Sequence, residues 1–76
     1  MRDLIEYIAR LLVDSPDEAR VDESQKDDTT VFQLRVAKED LGKVIGKNGR
    51  TARSIRSLLG VLSAKEGRKA VLEIVE

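Results

Sequence analysis

The sequence predicts a two-layer α+β domain, α-β-β-α-α-β in order, in which a three-stranded sheet carries its helices on one face. Three observations predict it. Apolar residues recur at three- and four-residue steps in three separate segments, the period of a helix face, and alternate at two-residue steps over Phe32, Leu34 and Val36, the period of a half-buried strand. The closing segment, residues 70–75, is apolar, largely β-branched and interrupted only by Glu73, a composition that suits a strand. A chain of 76 residues is one domain at most, so residues 1–76 are expected to form a single unit whose helices bury their apolar stripes against the sheet.

Each element follows from its own pattern. Leu4, Ile5, Ile8, Leu11 and Leu12 place a first helix over residues 2–13, and Asp14-Ser15-Pro16 ends it because Pro16 cannot continue the hydrogen-bond ladder. The polar stretch that follows holds a short edge strand at residues 19–24 and a turn at Gln25-Lys26-Asp27-Asp28, before the strand at residues 30–36. Leu41, Val44 and Ile45 mark a short helix over residues 38–45, with Glu39 and Asp40 near its start, where the helix dipole favours acids. A longer helix over residues 50–65 carries Ile55, Leu58, Leu59 and Leu62 as its core stripe, and Gly67 terminates it.

Charged residues make up 37% of the chain and sum to zero, yet they are unevenly spread. Residues 1–37 hold five Lys or Arg against nine Asp or Glu, and residues 38–76 hold nine against five, so a net of minus four is balanced by plus four. Lys43, Lys47, Arg50, Arg53 and Arg56 fall within residues 41–57 with no acid among them, which lets a local positive field survive overall neutrality. With neither cysteine nor histidine, the chain has no disulfide or obvious structural metal site to staple so small a core, and self-association is the expected remedy. The beginning of the chain turns acidic without a continuous apolar stretch, so neither a signal peptide nor a membrane span is outlined, and a soluble cytoplasmic protein is expected.

Between the two central helices stands Gly46-Lys47-Asn48-Gly49. Glycine at both ends lets the backbone approach a phosphate with no Cβ in the way, Asn48 tolerates left-handed geometry, and the turn opens the N-terminus of the next helix, whose amides and dipole favour an anion. At a glycine frequency of about 7%, a Gly-x-x-Gly arises by chance in roughly one of three chains this long, so the context carries the inference. Arg50 and Arg53, three residues apart on the first turns of that helix, can reach phosphate or stack on bases, while Lys43 and Arg56 contact the strand or only solubilise the surface.

The run Val44-Ile45-Gly46-Lys47-Asn48-Gly49-Arg50-Thr51-Ala52-Arg53-Ser54-Ile55 resembles the KH motif with its GXXG loop. The helix and strand before it resemble the type II arrangement, and a solitary domain of this length with a Ser-Pro-Asp-Glu segment resembles the KhpA (YlqC) family. In KH domains the loop clamps about four nucleotides of a single strand. The resemblance therefore implies single-stranded RNA as partner, a role for Gly46, Lys47, Asn48 and Gly49 with Arg50 and Arg53 flanking them, and an apolar groove or its floor at Val44 and Ile45; Lys43 is expected as a further RNA contact from its place in the basic run alone. It further implies an RNA chaperone in the bacterial cytoplasm that pairs with itself or with a KhpB/Jag-type KH protein and influences cell shape and envelope synthesis. One departure is Ala52, where many KH motifs have a larger aliphatic residue.

Val61 falls off the expected core stripe of the long helix, beside Ser54, Ser57 and Ala64, whose small side chains permit close packing of a second helix, so a dimer face is expected there. Enzymatic chemistry is not expected. The chain has no His or Cys nucleophile, no clustered metal ligands and no Walker pattern around its glycines, and the adjacent Glu39 and Asp40 diverge by about 100 degrees on a helix. No cofactor or metal is implied. The rival reading is a KH-fold protein-interaction module with weak or partner-dependent nucleic-acid binding.

Overall fold

The two-residue alternation around Phe32 is realised as the middle strand of a mixed sheet. In the computed structural model, which describes residues 1–75, β2 (Thr29–Arg35) pairs antiparallel with β1 (Arg20–Lys26), placing Val21 opposite Leu34. It pairs parallel with β3 (Lys69–Val75), placing Phe32 beside Leu72. Because successive side chains point to opposite faces, Thr30, Phe32 and Leu34 are all buried, while Val31 and Gln33 on the other face are half-buried and Arg35 is exposed. Three helices complete the second layer: α1 (Arg2–Leu12), α2 (Leu41–Ile45) and α3 (Arg50–Lys65). Their contribution to the core is Ile5 and Ala9 from α1, Val44 from α2, and Ile55 and Leu59 from α3, closed over Val21, Phe32, Leu34 and Leu72. The order of elements and the sheet with helices on one face are those expected from the sequence.

Several boundaries move. The first helix stops at Leu12, and Pro16 begins a single 3₁₀ turn rather than merely ending the helix. The first strand starts and ends later than residues 19–24, running to Lys26, which pairs with Thr29; the turn thus shrinks to Asp27-Asp28, with Asp27 at a positive φ of 56° that a short polar side chain tolerates. Residues 38–40 form a 3₁₀ turn ahead of a five-residue α2, not one continuous helix. Gly67 does terminate α3, at φ 69°: its amide donates to the Ala64 carbonyl and the Arg68 amide to that of Ser63, a Schellman motif.

The helix faces also differ from expectation. On α3 the buried positions are Ala52, Ile55, Leu59 and Ser63, whereas Leu62 is half-buried and Leu58 is 40% exposed. The true core stripe is rotated towards small residues that periodicity of large apolar side chains does not weigh. On α1 only Ile5 and Ala9 are fully covered, and Leu4, Leu11 and Leu12 lie open with Tyr7. This phase has a direct consequence. Leu59→Ala is expected to destabilise the domain by about 2–5 kcal/mol and Leu58→Ala by less than about 1 kcal/mol, measured by urea unfolding; equal losses would show that the two leucines share the core as the sequence pattern suggests.

Candidate nucleic-acid interface

The glycine turn is held by its backbone before any side chain acts. The Gly46 amide donates to the Gly42 carbonyl at 2.9 Å, closing α2, and the Gly49 amide donates to the Gly46 carbonyl at 3.1 Å, closing a 3₁₀ turn over Lys47–Gly49. Gly46, Asn48 and Gly49 take φ of 79°, 57° and 73°; Asn48 and Gly49 are left-handed, a region glycine and asparagine enter at least cost, whereas Gly46, with ψ 170°, lies where essentially only glycine goes. The two glycines are needed for different reasons. A Cβ on Gly46 would lie 2.2 Å from Thr51 Oγ1 and 2.8 Å from the Thr51 amide, so the backbone of the turn is packed against the first turn of α3. A Cβ on Gly49 would meet nothing nearer than Arg53 Nη2 at 3.9 Å, so that position demands glycine through its φ alone.

Gly49 is also the N-cap of α3, and having no side chain it leaves the first amides of the helix without a side-chain cap. Exposed Lys47 and Asn48 form the tip, with exposed Arg50 and Arg53 on the helix behind them. Arg53 is tied into the turn, its Nη2 donating to the Asn48 carbonyl at 2.9 Å. Arg50, Arg53, Ser54 and Ser57 line one shallow depression. Of the two apolar residues expected beside the loop, Val44 is completely buried in the core, while Ile45 is 37% exposed and reaches the surface.

Lys43 stands apart. Its ammonium donates to the Asp14 carboxylate and lies 3.7 Å from Asp40 Oδ1. The Asp14 hydrogen bond, with the fields of Asp14 and Asp40, holds the Lys43 pKa above the ordinary lysine value. The sequence placed Asp40 as a charge favoured at a helix start, and the structure gives it more to do. It is 2% exposed, and its two carboxylate oxygens accept the backbone amides of Asp14 at 3.2 Å and Ser15 at 3.0 Å. One buried carboxylate thus fastens the α1–β1 connection to the foot of the helix that ends in the glycine turn. No local pattern announces this, because its partners are backbone groups about 25 residues away.

Arg56 and Leu59 of α3, with Ala70, Val71 and Leu72 of β3, line a groove between the helix and the edge strand. Ala70 and Val71 were not singled out from sequence; only the parallel pairing that sets β3 beneath α3 brings them there. The expected association face is open to solvent, with Ser54, Ser57, Val61 and Ala64 all exposed, Val61 at 57%, and Leu58 joins it.

Two helices joined by a GXXG turn, packed on a sheet whose last two strands are parallel and whose first is antiparallel, define a KH domain of the type II arrangement. The family model described as KhpA/KhpB, KH domain, matches residues 2–74, and the chain belongs to that family. It is 45% identical to the RNA-binding protein KhpA of Clostridium acetobutylicum over 99% of this chain and 100% of that protein. It is 46% identical to the RNA-binding protein KhpA of Aquifex aeolicus over 100% of this chain and 96% of that one, and 45% identical to that of Borreliella burgdorferi over 97% and 90%. No solved structure gives a significant match. Among the described residues no helix is long and apolar enough to cross a membrane.

The buried carboxylate yields a prediction. In Asp40→Asn one oxygen can still accept an amide, but the new NH₂ group faces the second amide donor and leaves it without an acceptor. A loss of about 1–3 kcal/mol is expected, read from urea unfolding, and a variant as stable as wild type would show that the Asp14 and Ser15 amides find other partners.

Proposed function

We propose that this chain binds single-stranded RNA by clamping its backbone at Gly46-Lys47-Asn48-Gly49, as a binding protein and not an enzyme. The observation that carries the reading is the geometry of the turn: two glycines at positive φ, an α3 N-terminus without a side-chain cap, and Lys47, Arg50 and Arg53 around it. Lys47 supplies a point charge for phosphate, and the guanidinium groups of Arg50 and Arg53 reach phosphate or stack on bases. Ile45 offers apolar surface beside the turn, and Val44 lies buried in the core. The relatives are named RNA-binding proteins, which favours RNA over single-stranded DNA. Few nucleotides touch one such surface, so isolated binding is weak and gains from dimerisation. With three cations on phosphate, each worth a salt slope of about 0.7 on a single strand, the logarithm of affinity falls with the logarithm of salt at a slope of about −2.

On family membership rest the further parts of the reading: an RNA chaperone in the cytoplasm that assembles as a homodimer or with a KhpB/Jag-type partner, in the control of cell shape and envelope synthesis. Exposed Leu58 and Val61 on α3 favour an association face, and they are also the observation behind a second reading, a KH-fold interaction module whose nucleic-acid binding depends on its partner.

Fluorescence anisotropy of a short unstructured RNA separates the two. Lys47→Asp/Asn48→Asp is expected to weaken binding at least about tenfold, with circular dichroism unchanged, because it puts acids where phosphate would sit. Equal binding by both proteins removes the loop mechanism, and binding by neither favours the interaction module. For the association face, Val61→Glu is expected to turn a dimer into a monomer by light scattering at low micromolar protein; an unchanged mass places the interface elsewhere.

A further inference from the structure

Five basic residues lie between residues 41 and 57, but the structure does not leave all five in the same condition. Among the described residues no ion pair engages Lys47, Arg50, Arg53 or Arg56, whereas Lys43 is paired with Asp14 and has Asp40 beside it. The two acids are not equivalent. Asp40 is buried and already accepts two backbone amides, so it is a fixed part of the fold. The Asp14 side chain is 80% exposed, that of Lys43 is 44% exposed, and their pair therefore lies in water, where such contacts are weakly held and screened. Lys43 sits on α2 one helical turn ahead of Gly46, with a flexible four-carbon stem and three rotatable donors that suit a phosphate oxygen as well as a carboxylate.

We propose that Asp14 occupies on Lys43 the place that a strand phosphate would take, so that Lys43 joins the RNA contact only by exchanging Asp14 for phosphate, and Asp14 thereby lowers the affinity of the clamp. The proposal rests on the RNA-binding reading above. Its physical content is a trade of one ion pair for another: the chain gives up an intramolecular pair whenever Lys43 reaches the strand, so wild-type affinity contains less than the full contribution of that lysine. Removing the Asp14 carboxylate leaves its backbone amide, and so the bond to Asp40, in place.

The test is the affinity and salt dependence of the same RNA for wild type and Asp14→Ala, repeated with Lys43→Met present in both chains, with thermal melting to verify folding. Asp14→Ala is expected to tighten binding about threefold to tenfold at low salt and to steepen the salt slope by about 0.7, one phosphate contact on a single strand. In the Lys43→Met background the same change is expected to have an effect of less than about twofold, the double-mutant comparison isolating the pair. A gain of equal size in both backgrounds means that deleting any negative charge helps, and it overturns the proposal, as does no gain in either. The Lys47→Asp/Asn48→Asp chain separates the two levels: if it loses RNA that wild type binds while Asp14→Ala shows no gain, only the Asp14 proposal fails, and if wild type binds no RNA both fall.

Discussion

Parallel pairing of Thr29–Arg35 with Lys69–Val75 is the constraint on which the rest of the structure depends. Parallel neighbours cannot be joined by a hairpin; the chain has to leave β2 at its Arg35 end and be carried back to the Thr29 end before β3 can begin. The carrier is α3. Its 16 residues at 1.5 Å span about 24 Å, and the 7 residues of β3 at 3.3 Å span about 23 Å, so one straight helix crosses the sheet once. The chain must therefore turn around just beyond Arg35, and α2 with the Gly46–Gly49 corner is that turn. A loop at this position is the product of the crossover, and it inherits the rigidity of the helices and sheet on either side.

What makes the corner fit for an anion is chemistry added to that geometry. Gly46 lets the turn close onto Thr51, and Arg53 braces the Asn48 carbonyl while keeping its charge. Beneath them lies a buried carboxylate, which at first sight should cancel the field. It does not, because burying a charge is tolerable only when that charge is answered locally. Asp40 is answered by two amides and by Lys43, with Asp14 sharing the lysine. Two carboxylates thus share one ammonium at the foot of α2, a formal charge of −1 further answered by the two amides, and Lys47, Arg50 and Arg53 face solvent over a screening length of about 8–10 Å.

The fold was readable where one residue pattern serves one purpose. The alternation through Phe32 and Leu34, the Gly67 stop and the extent of α3 are of this kind, and so are the glycine turn and its flanking arginines, which the structure brings to one corner. What escaped reading is of a different nature. The Asp40 carboxylate bonds to amides supplied by a remote segment, and any acid in the first turn of a helix looks like a dipole partner. Lys43 looked like its basic neighbours because charge counting along the chain does not see Asp14 across it. The groove beside Val71 depends on which strand lies under α3, a fact of topology and not of local composition.

The misjudged helix faces have a geometric cause that bears on association. Three strands spaced about 4.8 Å apart make a sheet about 10–14 Å wide, whereas two helices side by side, each about 10 Å across, need about 20 Å. Both α1 and α3 must overhang. Apolar residues placed squarely on the sheet, such as Ile5 and Leu59, are covered, and Leu58, a quarter turn from Leu59, has less beneath it and is 40% exposed despite fitting the helical period, while Val61, on nearly the opposite side of α3, points away from the sheet and is 57% exposed. A wider sheet would cover more of Leu58; this chain has no fourth strand among its described residues. Removing that surface from water requires another molecule, and on α3 the exposed valine is flanked by Ser54, Ser57 and Ala64, small enough for a second helix to approach closely. The overhang that leaves Leu58 partly open thus adds apolar surface next to Val61, and together they support an association face on the helix leading away from the glycine turn.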